Sequence, residues 1–162
     1  MGHNQIDLLG VGPALPEGFK YQPDLLSPEE EQRILELVTQ LPFQDFEFQG
    51  FLAKRRVVSY AWQYDFNERT LALVMEYDTG AAVGWHRDKA VFGDVIGLSL
   101  LSPARFRLQR KVGTTWERAS LMLEPRSAYL LRGPSRTDWE HSIPGVDALR
   151  YSITFRTFRE DR

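Results

Sequence analysis

Arg150-Tyr151-Ser152-Ile153-Thr154-Phe155-Arg156 alternates strictly between polar and apolar side chains, and this alternation decides the fold class. Successive residues of a strand project to opposite faces. Arg150, Ser152, Thr154 and Arg156 therefore share one face, and Tyr151, Ile153 and Phe155 share the other. The apolar set is expected in the core. The polar set would ordinarily meet water, but it lines a cavity if the strand lies inside a closed sandwich. Each arginine carries a planar fork that matches a carboxylate bidentately.

The same period of two recurs along the chain. It appears at Phe43, Phe46 and Phe48, and then over 56–62, 71–77, 83–88, 95–101, 106–110, 116–121, 127–131, 140–143 and 150–158. Turn residues fall between many of these segments: Thr79-Gly80, Ser102-Pro103, Val112-Gly113, Arg132-Gly133-Pro134 and Pro144-Gly145. Many short strands at roughly even spacing predict a sandwich or barrel. One helix precedes them. Ser27-Pro28-Glu29-Glu30 supplies a cap, a proline at the first helical position and a glutamate that closes a capping box. Ile34, Leu35, Val38 and Leu41 follow at helical spacing, and Pro42 ends the helix. The class is mainly β with an N-terminal helix (α+β), residues 1–24 forming an arm and 25–162 a single domain.

Composition narrows the function. The chain has 162 residues, enough to bury a core unaided. It has no cysteine, which excludes disulfides, thiolate metal sites and a cysteine nucleophile. A net charge of −2 argues against a wholesale electrostatic grip on nucleic acid, so any such grip must come from local patches. No apolar run approaches transmembrane length, and MGHNQIDLLG lacks the form of a signal peptide. A cytoplasmic monomer with no membrane partner is expected.

His86 and Asp88 share one face of a strand, and His141 lies on another. Two histidines and one carboxylate make the facial triad of non-haem iron, which leaves positions open for a cosubstrate and oxygen. Zinc accepts the same ligands. The arginine-bearing strand favours iron, because 2-oxoglutarate chelates iron at one end and needs a cationic partner for its other carboxylate. Ser152, Thr154 and the phenol of Tyr77 complete the hydrogen bonding. The expected cofactors are Fe(II), 2-oxoglutarate and O2.

Here the chain resembles the AlkB-like family of 2-oxoglutarate oxygenases. Tyr77…Gly84-Trp85-His86-Arg87-Asp88-Lys89 resembles its core motif. The closing Arg-x-Ser-x-Thr-x-Arg resembles its Arg-x-Asn-x-Thr-x-Arg, with Ser152 where Asn is usual. The resemblance runs from about Leu25 to Phe158 and implies a double-stranded β-helix (jelly roll). It also implies that Arg150 meets the far carboxylate of 2-oxoglutarate, Arg156 the carboxylate at the metal, and Tyr77 a further oxygen. Arg-x-Ser is shared with prolyl hydroxylases, so it marks the cosubstrate better than the family.

Lys54-Arg55-Arg56…Tyr60-Ala61-Trp62-Gln63-Tyr64-Asp65 resembles the nucleotide-recognition lid. There, aromatic and basic residues flank a base taken out of its stack. Trp62 and Tyr64 would stack on the base, Lys54, Arg55 and Arg56 would contact phosphate, and Trp139 would line the pocket. A second basic cluster, Arg105, Arg107, Arg110 and Lys111, reads more simply as a solvent face. Two departures stand out. Met75 takes a position where the family often has Asn, and the lid region 54–70 is short, running almost directly into 71–77. The implied reaction is oxidative demethylation of alkylated nucleobases in DNA or RNA, with release of formaldehyde. An oxygenase acting on a protein or small molecule, and an inactive shortened β-sandwich scaffold, are the alternatives.

Overall fold

The computed structural model describes residues 14–48, 51–64 and 68–159, without the side chains of 46–53 and 61–69. Among the described residues, eleven strands form two antiparallel sheets. The larger contains β1 (Lys20–Gln22), β2 (Gln44–Phe48), β3 (Phe51–Tyr64), β4 (Glu68–Tyr77), β6 (Phe92–Leu100), β9 (Ser127–Leu131) and β11 (Arg150–Phe158). Its order is β1-β9-β6-β11-β4-β3-β2. The smaller sheet has the order β5-β10-β7-β8, from β5 (Val83–His86), β7 (Ala104–Val112), β8 (Thr115–Leu123) and β10 (Glu140–Ile143). This is the expected jelly-roll sandwich. None of the described helices is long and apolar enough to cross a membrane.

The helix α1 (Pro28–Val38) starts as its sequence dictates. The Ser27 hydroxyl accepts from the Glu30 amide at 3.1 Å, and the Glu30 carboxylate accepts from the Ser27 amide at 2.8 Å. Each bond satisfies a backbone donor that the first helical turn would otherwise leave open.

The larger sheet is covered on both faces, and this determines what β11 can do. Its Tyr151 is buried and Ile153 half-buried in a cluster with Val38, Val74 and Leu100, under α1. Phe155, expected in the core with them, is 37 % exposed because it lies beyond the reach of that cluster. The polar set Arg150, Ser152, Thr154 and Arg156 is buried throughout, facing the second sheet. Between the sheets lies the main core, including Phe19, Phe106, Leu108, Leu131 and Trp139.

Of the arm expected over residues 1–24, residues 14–24 are described. Lys20–Gln22 is an edge strand paired with β9, and Phe19 is buried against Phe106 and Tyr129 at 6.0 and 6.2 Å between ring centres. Three paired residues are too few to show a period. Residues 1–13 lie outside the described part. The lid region 54–70 lies largely within the β3–β4 hairpin, whose pairing extends from Arg55↔Tyr77 to Tyr64↔Glu68.

Candidate metal centre

Strand β5 carries His86 and strand β10 carries His141, and the two are direct register partners. Their ring centres lie 4.2 Å apart. Asp88, just past the end of β5, brings an oxygen to 4.0 Å from His86 Nε2. One ligand atom from each of the three residues falls within 4.8 Å of the others. The residues predicted as ligands are therefore gathered at one point.

The protonation states suit ligation. His86 Nδ1 lies 2.9 Å from the Gly84 carbonyl oxygen, which can only accept, so Nδ1 is the donor there and Nε2 is the nitrogen left to face a metal. Burial, with His86 beside it, pushes the His141 pKa down to about 3, so the imidazole stands neutral. Phe106 stacks on it, ring centres 5.3 Å apart, and fixes its plane. Burial alone would raise the pKa of Asp88, but the charge and hydrogen bond of Arg156 act against it, and the carboxyl is held below its ordinary value.

Arg156 reaches Asp88 Oδ1 at 3.2 Å and donates to Thr154 Oγ1 at 2.6 Å. Asp88 Oδ2 is buried with no hydrogen-bond partner. The arginine therefore engages one carboxylate oxygen and leaves the other for a cation. A second arginine, Arg136 of α2 (Pro134–Thr137), is also buried, where sequence reading gave it no role. It donates to the carbonyls of Lys89, Phe92 and Gly93 at 2.7, 2.9 and 3.0 Å and pins the loop that follows Asp88. Its only signal was position, one short turn ahead of His141.

Arg150 lies farther along the same face of β11. It donates to Ser99 Oγ at 2.8 Å, and its guanidinium sits 4.6 Å from the centre of the Tyr77 ring. Its Nε and one terminal nitrogen are buried without a partner, as is Ser152 Oγ. Buried donors of this kind are costly unless something accepts from them. A carboxylate matches them in charge and shape. Tyr77 points its hydroxyl at Met75 Sδ, 3.6 Å away.

A cavity of about 180 Å³ lies between the sheets; Tyr77 lines it, whereas Arg150 and Ser152 are not among its lining residues. His86, His141, Thr154, Arg156 and Tyr77 line it, with an apolar wall that includes Val57, Leu73 and Met75. Of the predicted substrate residues, Arg55 lines this cavity. Arg56 does not: it projects to the opposite face of β3, where it pairs with Glu76 at 2.6 Å and lies over Phe43. Consecutive strand residues cannot both face one cavity. Lys54 shares the Arg56 side and is exposed near Gly80. Trp139 does not line this cavity but is buried in the core, with Arg110 stacked on it at 5.1 Å. The backbones of Trp62 and Tyr64 pair with Thr70 and Glu68, and their side chains lie outside the described residues.

A family model described as the 2OG-Fe(II) oxygenase superfamily matches residues 35–156. No curated protein matches the sequence. Among solved structures, OsALKBH1 superposes with a TM-score of 0.68 at 14% identity, over 88% of this chain and 99% of that one. A Pseudomonas putida prolyl-4-hydroxylase gives 0.67 at 12% identity, over 89% of this chain and 94% of that one. A Burkholderia pseudomallei oxidoreductase of the 2OG-Fe(II) oxygenase family gives 0.65 at 12%, over 89% and 86%. At these identities the likenesses are to the fold.

Proposed function

The chain belongs to the 2OG-Fe(II) oxygenase superfamily, and from that premise we propose that it oxidatively demethylates alkylated nucleobases in DNA or RNA. It is a dioxygenase that uses Fe(II), 2-oxoglutarate and O2. In this reading His86, Asp88 and His141 hold the iron. Arg150, with Ser152 and Tyr77, takes the far carboxylate of 2-oxoglutarate. The observation that carries this assignment is the pair of unpartnered Arg150 donors buried on the same strand face as Arg156, which holds Asp88.

Bound together, iron and 2-oxoglutarate supply the oxidation of a C–H bond by O2; the chain supplies geometry. Thr154 orients Arg156, and Arg156 fixes the Asp88 carboxylate. The apolar wall of Val57, Leu73 and Met75 suits an alkyl group and keeps water from it. Arg55 offers a cation at the cavity for a phosphate or base edge, and the aromatic run ending in Tyr64 follows on the same strand.

The test is mass spectrometry of an oligonucleotide carrying N1-methyladenine or N3-methylcytosine, incubated with protein, Fe(II), ascorbate and 2-oxoglutarate, with succinate followed in the same tube. Loss of the methyl group is expected. An Arg55→Ala variant should lose oligonucleotide turnover while still forming succinate slowly. Succinate with the oligonucleotide untouched would turn the reading towards a protein or small-molecule substrate. That second reading is favoured by one observation: Arg56 is tied to Glu76 on the far face, which thins the basic patch.

A further inference from the structure

Tyr129 stands on β9, and its ring enters the cavity beside Tyr77, Thr154 and Arg156. Phe106 packs against it at 4.8 Å between ring centres and Phe19 at 6.2 Å, so two neighbours fix its plane. Beneath it lies Gly97 of β6. Tyr129 and Gly97 are register partners, and Gly97 is in turn the partner of Thr154 on β11. A Cβ on Gly97 would fall 2.2 Å from Cε1, 2.3 Å from Cζ and 2.6 Å from the hydroxyl oxygen of Tyr129. The ring therefore lies flat across β6, and any larger residue at 97 would push it off.

Gly97 is not needed for its own backbone, since its φ lies outside the positive region that other glycines of this chain occupy. A glycine inside a strand costs stability unless something must approach closely. The tyrosine ring is what approaches. Its hydroxyl makes no hydrogen bond among the described residues, yet the charges of Asp88, Arg156 and Arg150 all act on it. Burial, with Tyr77 and Asp88 acting in the same direction, outweighs the two arginines and holds its pKa above the ordinary phenol value, so it remains a donor. On β11 the Thr154 row, with which Gly97 pairs, falls between Arg150 and Arg156. A purely structural tyrosine would gain nothing from carrying its hydroxyl into this polar gap.

We propose that Tyr129 is a cosubstrate-binding residue whose phenol O–H donates to the dicarboxylate lying between Arg150 and Arg156, with Gly97 as the platform that aims it. This rests on the reading of β11 as the 2-oxoglutarate strand. It also gives a physical role to Met75: the cavity lacks a polar amide on β4, and β9 supplies a donor instead.

The experiment is an anaerobic titration of 2-oxoglutarate into the Fe(II)-loaded protein, followed by the visible charge-transfer band of the chelate. Tyr129→Phe keeps the ring and removes the donor. It should raise the dissociation constant roughly tenfold or more, the usual scale for a hydrogen bond to a charged group. Fe(II) affinity and the melting temperature should not move. Gly97→Ala should weaken cosubstrate binding in the natural background and add nothing in a Tyr129→Ala background. Natural affinity in Tyr129→Phe, or an equal Gly97→Ala effect with and without the ring, overturns the role of Tyr129 and leaves the strand assignment standing. A natural protein that binds Fe(II) but gives no band with 2-oxoglutarate overturns the strand assignment and the tyrosine with it.

Discussion

Replacing Arg150 by methionine should leave the cosubstrate-free protein about as stable and remove its response to 2-oxoglutarate. Arg150 is 1 % exposed and leaves two donor nitrogens without a partner. Each unmet donor costs about 1–3 kcal/mol, so the substitution relieves roughly 2–6 kcal/mol. Against this stand the bond to Ser99, worth about 1–3 kcal/mol, and the contact with the Tyr77 ring, worth about 2 kcal/mol. The two sides nearly cancel. The assay is thermal unfolding with Mn(II) in place of iron, so that no turnover intervenes. At a hundred times its dissociation constant, 2-oxoglutarate should stabilise the natural protein by about 2.7 kcal/mol. At about 2–4 °C per kcal/mol for a chain of this size, that is a rise of roughly 5–11 °C. If the variant binds about a hundredfold more weakly, the same concentration gives about 0.4 kcal/mol, or a rise of ~1–2 °C. Equal shifts in the two proteins would refute Arg150 as the carboxylate partner. A variant that melts far lower without cosubstrate would refute the claim that its buried donors are unmet.

Three further outcomes follow from the site. His86→Ala or Asp88→Ala should abolish the visible band of the Fe(II)–2-oxoglutarate complex with the circular dichroism of the fold retained; a persisting band would exclude that residue as a ligand. The metal-free protein should lose stability as pH falls. The unfolded chain takes up a proton on His141 near its ordinary value of 6.5, whereas the native imidazole refuses it until about 3. The contribution is therefore whole above pH 6.5 and is lost below it, by at most about 1.4 kcal/mol per pH unit. His141→Gln should flatten that window, and parallel curves would contradict the burial argument. Arg107→Ala should weaken Mn(II) binding severalfold with the sheets intact. On the outer face Arg107 donates to Ser142 Oγ at 3.0 Å and lies 4.9 Å over Trp85, bracing the neighbours of both histidines; unchanged affinity in a metal titration would dismiss the brace.

The features legible in the residues alone are local. Period two marked 127–131, 140–143 and 150–158 with the bounds the structure gives them, because alternation is a property of the strand alone. Ser27 and Glu30 announced the helix start for the same reason. His86, Asp88 and His141 were legible because few residue types hold iron and this chain has only three histidines. Alternation says which residues share a face; it does not say what covers that face. It is the packing of the two sheets that turns the polar side of β11 inward and leaves Phe155 exposed. Arg55 turns to the cavity and Arg56 away because β3 has one sheet facing it on one side and a helix cluster on the other. Tyr129 gave no signal, since its use depends on a glycine in a neighbouring strand. The pairing of His86 with His141 is likewise a register between distant segments, set by how the second sheet packs rather than by either segment's own residues.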